Sequence, residues 1–315
     1  LAIDTIKKNS SQCEWDNRDG ISCLQITKPI PNTSEISKIG LQSYVITSRE
    51  IKEYGATDIN EIFEMIPGIN ITQSGPKGQQ TSLFTRGTNS NHTLVLLNGI
   101  PINDQSTTQG LHDFGVDFIQ SIHQIEVYVG PNGVHFGPNA IGGAVNFITA
   151  GDFSNGLEIS VNNQDNKTFS GNYTKVTNND WMLNIKVGLV NSKTESAIYG
   201  GSEKDKAKNL SGNFNAEKWL NDNIKFRSTV YARETIAEYD SSANVENNYE
   251  GDNLMYTTQF GFDHQKENLK DYITFHFHTY DREYNEDGTI DEYLSRSFVT
   301  RAERQMSFSD NLSFS

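Results

Sequence analysis

Trp181-Met182-Leu183-Asn184-Ile185-Lys186-Val187-Gly188-Leu189 decides the fold class of this chain. In an extended strand successive side chains point to opposite faces, so Trp181, Leu183, Ile185, Val187 and Leu189 share one face and Asn184, Lys186 and Gly188 the other. The pattern starts upstream at Leu157-Glu158-Ile159-Ser160-Val161 and at Phe169, Gly171 and Tyr173. Downstream, Leu210, Phe214 and Ala216 oppose Ser211, Asn213 and Asn215, and Ile224, Phe226, Val230 and Ala232 oppose Lys225, Arg227, Tyr231 and Arg233. Leu254, Tyr256, Phe260 and Phe262 then oppose Gln259 and Asp263, and Ile273, Phe275 and Phe277 oppose Thr274, His276 and His278. One face is apolar and the other accepts full charges, strand after strand.

A soluble β-sandwich also alternates, which keeps an extracellular, adhesin-like binding protein open as the rival reading. Strand length and loop asymmetry favour a membrane-spanning β-barrel instead. The segments reach roughly ten residues or more, enough to cross a bilayer at a tilt, against about five or six in ordinary strands. Short connections are expected at Thr177–Asp180, Lys218–Asp222 and Lys266–Lys270, and long polar ones at Ser192–Lys206, Asp240–Asp252 and Asn285–Ser295. Strict alternation of short and long connections fits turns on one side of a membrane and loops on the other. Residues 151–315 accommodate about eight such strands, so the barrel is expected to be incomplete in this chain.

Composition agrees. The 315 residues carry 26 Lys plus Arg against 40 Asp plus Glu, a net charge of −14. With no basic cluster to neutralise phosphates, nucleic acid is excluded as a partner. Hydrophobic residues make up only 35% while aromatics reach 10%, as suits a wall with a wet inner face. No apolar run approaches the roughly 18 residues of a spanning helix. Cys13 and Cys23 are too few for structural zinc; a local disulfide and two free thiols both remain open. No Gly-x-Ser-x-Gly, phosphate loop, His-Glu-x-x-His or Cys-His pairing at metal spacing is present, so no enzyme is expected.

Ahead of the alternating region the chain is mixed and Gly-punctuated. Residues 1–42 read as a flexible lead-in, and 43–150 as a small α+β domain. A helix is predicted over Thr47–Ile66, with Thr57-Asp58 as N-cap, Ile59, Ile62, Phe63 and Ile66 at helical spacing, and Pro67-Gly68 as terminator. Strands are predicted at Leu83–Thr85, Leu94–Leu97, Gln124–Val129 and Ala144–Ile148, with a tight turn at Asn98-Gly99 and a short helical turn at Phe118–Ile122.

Five pieces of this domain stand in a recognisable order: Asp58 to Ile69 around Pro67-Gly68; Thr85-Arg86-Gly87; Leu94-Val95-Leu96-Leu97-Asn98-Gly99-Ile100-Pro101; Ile122 to Pro131, with Glu126 and Gly130; and Phe136 to Thr149, with Gly142-Gly143. Together they resemble the plug domain of TonB-dependent outer-membrane receptors, in which an N-terminal plug sits inside a barrel. The stretch Arg86 to Leu94 is most similar to the cobalamin-receptor type. One departure is Val129, where the family carries Arg before Gly-Pro.

The resemblance implies a receptor in the Gram-negative outer membrane. It would take up a scarce, large nutrient, with cobalamin first and a ferric siderophore second, and release it when the periplasmic TonB protein pulls on the N-terminal segment. Leu1 to Ile6 is the candidate for that contact. Cargo would bind on two plug apices: Gln73, Ser74, Gln79, Gln80 and Thr81 on one, and Asn103, Gln105, Ser106, Thr107 and Gln109 on the other. Their amide- and hydroxyl-rich chemistry suits a large neutral ligand. Arg86, Gly87, Asn98, Gly99, Glu126, Gly130, Pro131, Gly142 and Gly143 would be structural, with Arg86 and Glu126 paired to each other or to the barrel wall, because a buried charge needs a partner. Calcium, bound by Glu203, Asp205, Asp240 and Asp252 in the outer loops, is the only cofactor implied. His276 and His278 point the same way along a strand, as lumen-lining residues or as metal ligands.

Overall fold

A computed structural model describes residues 42–56, 59–131, 136–137, 139–149, 155–161, 166–195, 203–240, 249–309 and 312–314. Leu1 to Ile6, Cys13, Cys23 and Thr57-Asp58 lie outside the described residues.

The plug begins with β1 (Gln42–Thr47) and α1 (Ser48–Tyr54). Thr47 and Glu50 form a reciprocal capping box: the Glu50 amide donates to Thr47 Oγ1 and the Thr47 amide to Glu50 Oε2, at 2.8 Å for the latter. Gly55 ends α1 in the left-handed conformation (φ 68°), which a residue without Cβ adopts at little cost. The single helix predicted over Thr47–Ile66 is therefore two. The second, α2 (Ile59–Glu64), buries the predicted Ile59, Ile62 and Phe63. Next come β2 (Ile69–Gln73), β3 (Thr81–Thr85), β4 (Thr93–Leu97), the short β5 (Ile100–Pro101), β6 (Gln124–Val129) and β7 (Gly143–Ile148). A five-stranded sheet runs in the order β1-β6-β7-β4-β5, with β4 and β7 parallel, and β2 pairs with β3 as a separate hairpin. β4, β6 and β7 are buried along their whole length, with Val95, Leu97, Ile125, Val127, Val145 and Phe147 packed against Ile62, Phe63 and Phe114.

Among the described residues, the rest of the chain is one antiparallel sheet of nine strands, each paired with its sequence neighbours. They are β8 (Gly156–Val161), β9 (Lys167–Val176), β10 (Met182–Glu195), β11 (Lys204–Trp219), β12 (Ile224–Tyr239), β13 (Tyr249–Lys266), β14 (Leu269–Glu286), β15 (Thr289–Ser309) and β16 (Leu312–Phe314). About eight were expected; the ninth is three residues long. From β10 to β15 the strands run 14 to 21 residues, well past ordinary length.

Burial along this sheet is inverted. Ile185, Leu189, Leu210, Phe214, Phe260 and Phe298 are exposed on the outer face, while Asn184, Ser211, Asn213, Arg233, Thr257 and His276 are buried on the inner face against the plug. A sandwich would bury its apolar face against a second sheet. Here that face is turned outward, as lipid requires. One predicted loop is absent: in place of a long connection over Asn285–Ser295, Asp287 (φ 52°) and Gly288 (φ 84°) make a two-residue turn, and both strands continue to it in register.

Candidate functional site

The second plug apex is held by its own polar side chains and by the wall. Asn103 is buried and structural: its Oδ1 accepts from the Val95 amide (2.8 Å), and its Nδ2 donates to the Thr93 and Gly110 carbonyls. Ser106 donates to Asp104 Oδ1 and Thr107 to the Asp104 carbonyl, which leaves Gln105 and Gln109 as the exposed amides of this loop. On the first apex Gln73 donates to the Pro76 carbonyl and accepts from Asn60. The Thr81 amide donates to Asp113, while Ser74 and Gln80 are exposed. Gln79 reaches across to the wall, donating to the Glu238 carbonyl at 2.6 Å.

Two arginines of the wall grip two aspartates of the plug. Arg282 Nε lies 2.9 Å from Asp104 Oδ2 and its Nη2 donates to Ser106 Oγ, while Ser295 also donates to Asp104. Arg233, wholly buried, lies 3.1 Å from Asp117 Oδ1, and His112 Nε2 meets Asp117 Oδ2 at 2.5 Å. Burial alone would raise the Asp117 pKa, but Arg233 and His112 outweigh it and hold this carboxylate below its ordinary range. Further bonds run from wall side chains to plug carbonyls: Tyr280 to Ile102 (2.7 Å), Thr235 to Val116 (2.9 Å), Asn213 to Ser121 (3.0 Å) and Lys186 to Ile122 (2.8 Å). His276 and His278 line the same seam. They are buried, 3.2 Å apart between Nε2 and Nδ1, with Ser297 Oγ 3.0 Å from His278 Nδ1.

Above the second apex the inner face becomes aromatic. Tyr239 and Tyr249 face each other across β12 and β13, Tyr284 lies beside Tyr239, and Tyr293 beside Tyr284, with ring centroids 5.6 to 6.2 Å apart and edge-on. The guanidinium of Arg282 sits 5.8 Å over Tyr284 and 5.1 Å over Tyr293. One arginine thus touches both the tyrosine shelf and the plug apex. None of these five residues was among the expected cargo contacts. The signal lay in the alternation, because all five occupy the polar-face register of their strands.

Of the four acidic residues expected to hold calcium, Glu203, Asp205 and Asp240 come together, with one carboxylate oxygen of each within 4.8 Å of the others. Asp252 does not join them. It belongs to a cross-strand row on the opposite face of the sheet, between Ile236 and Glu283.

Arg86 and Glu126 are not paired with each other. Glu126 is fully buried inside the plug, where its carboxylate accepts from Gln124 (3.0 Å), Tyr128 (3.1 Å) and Asn146 (2.8 Å), all neutral donors. Burial pushes its pKa up to about 7 against the partial relief of those bonds. Arg86 is exposed, with a positive φ of 49° beside Gly87 (φ 74°), in the turn that follows β3. Its guanidinium lies over Gly130, where a Cβ would come within 2.9 Å of it. Val129, the departure from the family pattern, is buried in the core. Asn98 (φ 48°) and Gly99 (φ 86°) form the tight turn between β4 and β5, braced by Thr149 and Asn146. Pro131 is exposed. At Gly142 and Gly143 any Cβ would collide with Thr88 and with the Tyr128 carbonyl, so both serve close packing.

Comparison with known proteins agrees with this architecture. The family described as TonB-dependent Receptor Plug Domain matches residues 35–144. Among solved structures, the ferric yersiniabactin uptake receptor of Yersinia pestis superposes with a TM-score of 0.72 at 16% identity, over 90% of this chain and 48% of its own. A siderophore receptor of Acinetobacter baumannii gives 0.66 at 14% identity over 86% and 43%. The ferric enterobactin receptor of Pseudomonas aeruginosa gives 0.67 at 14% over 85% and 47%. This chain spans about half the length of the structures it matches, and at such identities the likeness is one of fold. Residues 35–144 match the TonB-dependent receptor plug domain, and the chain as a whole has the plug-then-barrel-wall fold of the similar receptor structures.

Proposed function

We propose that this protein takes up a ferric siderophore across the Gram-negative outer membrane, with the periplasmic TonB protein drawing on its N-terminal segment under the inner-membrane proton gradient. The tyrosine shelf with Arg282 carries the reading. Four aromatic rings and a cation facing the lumen suit a ligand with aromatic groups and negative charge. The three solved structures compared above are, by their descriptions, a ferric yersiniabactin uptake receptor, a siderophore receptor and a ferric enterobactin receptor. The test is equilibrium binding to the full-length receptor in detergent of ferric yersiniabactin, ferric enterobactin, a ferric pyoverdine and cyanocobalamin. Micromolar or tighter binding of an iron chelate, weakened at least tenfold by Arg282→Ala, is the expected result. Binding of cyanocobalamin alone would overturn it.

Cobalamin is the second reading, favoured by the convergence of Glu203, Asp205 and Asp240, whose oxygens suit calcium. On that reading cyanocobalamin binds in the presence of calcium, and binding falls on chelation and in Asp205→Asn.

A further inference from the structure

On one quadrant of its outer face the wall carries a charge opposite in sign to that of the whole chain. Residues directly opposite each other in an antiparallel pair share a face, so the register sorts the outer surface of β8 to β11 into rows. Ile159, Phe169, Leu189 and Leu210 stand side by side in one apolar row. Two residues further toward the β10–β11 connection the row is Val161, Lys167, Asn191 and Lys208. The next sets Lys193 opposite Lys206, and the one after it Glu195 opposite Lys204. All five lysines are exposed, in a chain whose net charge is −14.

Their height matches the edge of a bilayer. The short turn between β9 and β10, in which the Thr177 amide donates to the Trp181 carbonyl (2.9 Å), marks the periplasmic end. From Trp181 the same face rises through Leu183, Ile185 and Val187 to Leu189. Eight residues at about 3.4 Å each, tilted by about 40°, climb about 21 Å, close to the roughly 25 Å of an outer-membrane barrel's apolar band. Each further row adds about 5 Å, which brings the lysines to the level of outer-leaflet head groups. The stems of Lys167 and Lys208 can lie against Phe169 and Leu210 while their ammonium groups reach upward.

Folding alone does not favour this arrangement. Lys193 and Lys206 are directly opposite, and like charges so placed repel. Glu238 of β12 pairs with Lys206 at 2.8 Å and Glu195 faces Lys204, two carboxylates against five ammonium groups. Beyond β11 the same rows turn acidic. Glu234 is opposite Leu210, Asp252 stands level with Lys208 across Ile236, and Glu250 is opposite Glu238. An anion on this surface is thereby confined to β9, β10 and β11.

We propose that this lysine patch binds the phosphate groups of an outer-leaflet lipid whose acyl chains lie along the apolar row beneath. The inference rests on the outer-membrane reading above and is independent of the cargo. Basic side chains at head-group height attract anionic lipid, and a lipid covers the lysines and the apolar row together, whereas a free anion would meet only the lysines.

The test measures equilibrium binding to the full-length receptor in detergent of bisphosphorylated lipid A, of the same lipid stripped of its phosphates, and of inorganic phosphate. The phosphorylated lipid should bind at least tenfold tighter than the stripped one, weaken as salt rises, and withstand millimolar inorganic phosphate. Lys167→Gln, Lys193→Gln and Lys208→Gln combined, which keep the Lys206–Glu238 pair, should weaken it at least tenfold, with unchanged heat-modifiable gel migration showing that the barrel is folded. Glu250→Gln with Asp252→Asn on the acidic flank should not weaken it. Equal lipid binding by the native and triple-variant receptors would overturn the proposal. So would displacement by inorganic phosphate, which would make this a site for free anions, or a lipid-free dimer that the triple variant abolishes, which would make it a contact between copies. Those outcomes leave the outer-membrane reading standing. That reading, and this inference with it, falls if the full-length protein does not sediment with the outer membrane on a density gradient.

Discussion

Strands β6 and β14 show what kind of information alternation carries. β6 is buried at all six positions because the plug packs both faces of its sheet, and its Glu126 and Gln124 are sealed in with Ile125 and Val127. β14 alternates without interruption through its middle, yet its buried residues are Thr274, His276, His278 and Tyr280 and its exposed ones are Ile273 and Phe277. In the plug both faces of the sheet meet protein, so every position of β6 is buried, polar or apolar. In the wall burial runs against hydrophobicity, because the outer solvent is lipid and the inner neighbour is a wet protein surface. A period of two therefore reports a contrast between two environments, and does not say which of them is the core.

The sharpest way to break this contrast is at the buried charge on the inner face. Arg233→Ala leaves Asp117 sealed at the seam without its guanidinium, and should cost about 3–5 kcal/mol, read as a fall in unfolding midpoint of the receptor in detergent. Replacing an exposed partner such as Lys206, paired to Glu238 on the outside, should cost no more than about 1 kcal/mol.

Glu126 gives the next effect. Its folded pKa of about 7 stands above the ordinary 4.5, so the folded plug keeps a proton that the unfolded chain gives up. Stability is then greatest below about pH 4.5 and falls as pH rises through 7, by on the order of 3 kcal/mol in all. Amide protection factors in β6 and β7, which remove the base-catalysed rise of intrinsic exchange, should fall between pH 5 and pH 8, and in Glu126→Gln that fall should vanish.

Parity across the wall can be tested with one residue. Lys186 is native on the inner face, where its ammonium donates to the Ile122 carbonyl. Ile185→Arg puts a cation one position away on the lipid face, and should cost about 2–4 kcal/mol near the bilayer centre, measured by folding into lipid vesicles. An equal tolerance at the two positions would contradict the outward assignment. A small effect is expected at the plug's entry: Thr47→Ala removes the α1 cap and should cost about 1 kcal/mol, seen as faster exchange in Ile51 and its neighbours with the wall unaffected.

The wall was legible because each of its strands repeats the same two-residue contrast over a long run. Its missed feature, the Asp287-Gly288 turn, carries a common hairpin signal that the surrounding charges concealed within a supposed loop. In the plug, β1 and β2 went unseen: Gln42–Thr47 and Ile69–Gln73 are too short to establish a period and depend on partners distant in sequence. The helix break at Gly55 was overlooked because the apolar spacing of α2 was extended backward across it. At the site, residue type pointed to apex amides, and several of these, Asn103 and Gln73 among them, proved to be spent on loop geometry. The Arg282 shelf depends on four strands meeting in register, which no single segment discloses.

Four of the bonds that hold the plug end on carbonyl oxygens of Ile102, Val116, Ser121 and Ile122. A carbonyl belongs to the backbone and is the same whatever side chain sits beside it. Substitution on the plug side of these contacts leaves the acceptor in place, whereas each donor on the wall, Tyr280, Thr235, Asn213 or Lys186, is lost with a single change. The two surfaces therefore face unequal mutational burdens. At these four contacts the plug stretch can drift in sequence without loosening the grip, whereas Asp104 and Asp117 stay tied to Arg282 and Arg233 by their own side chains.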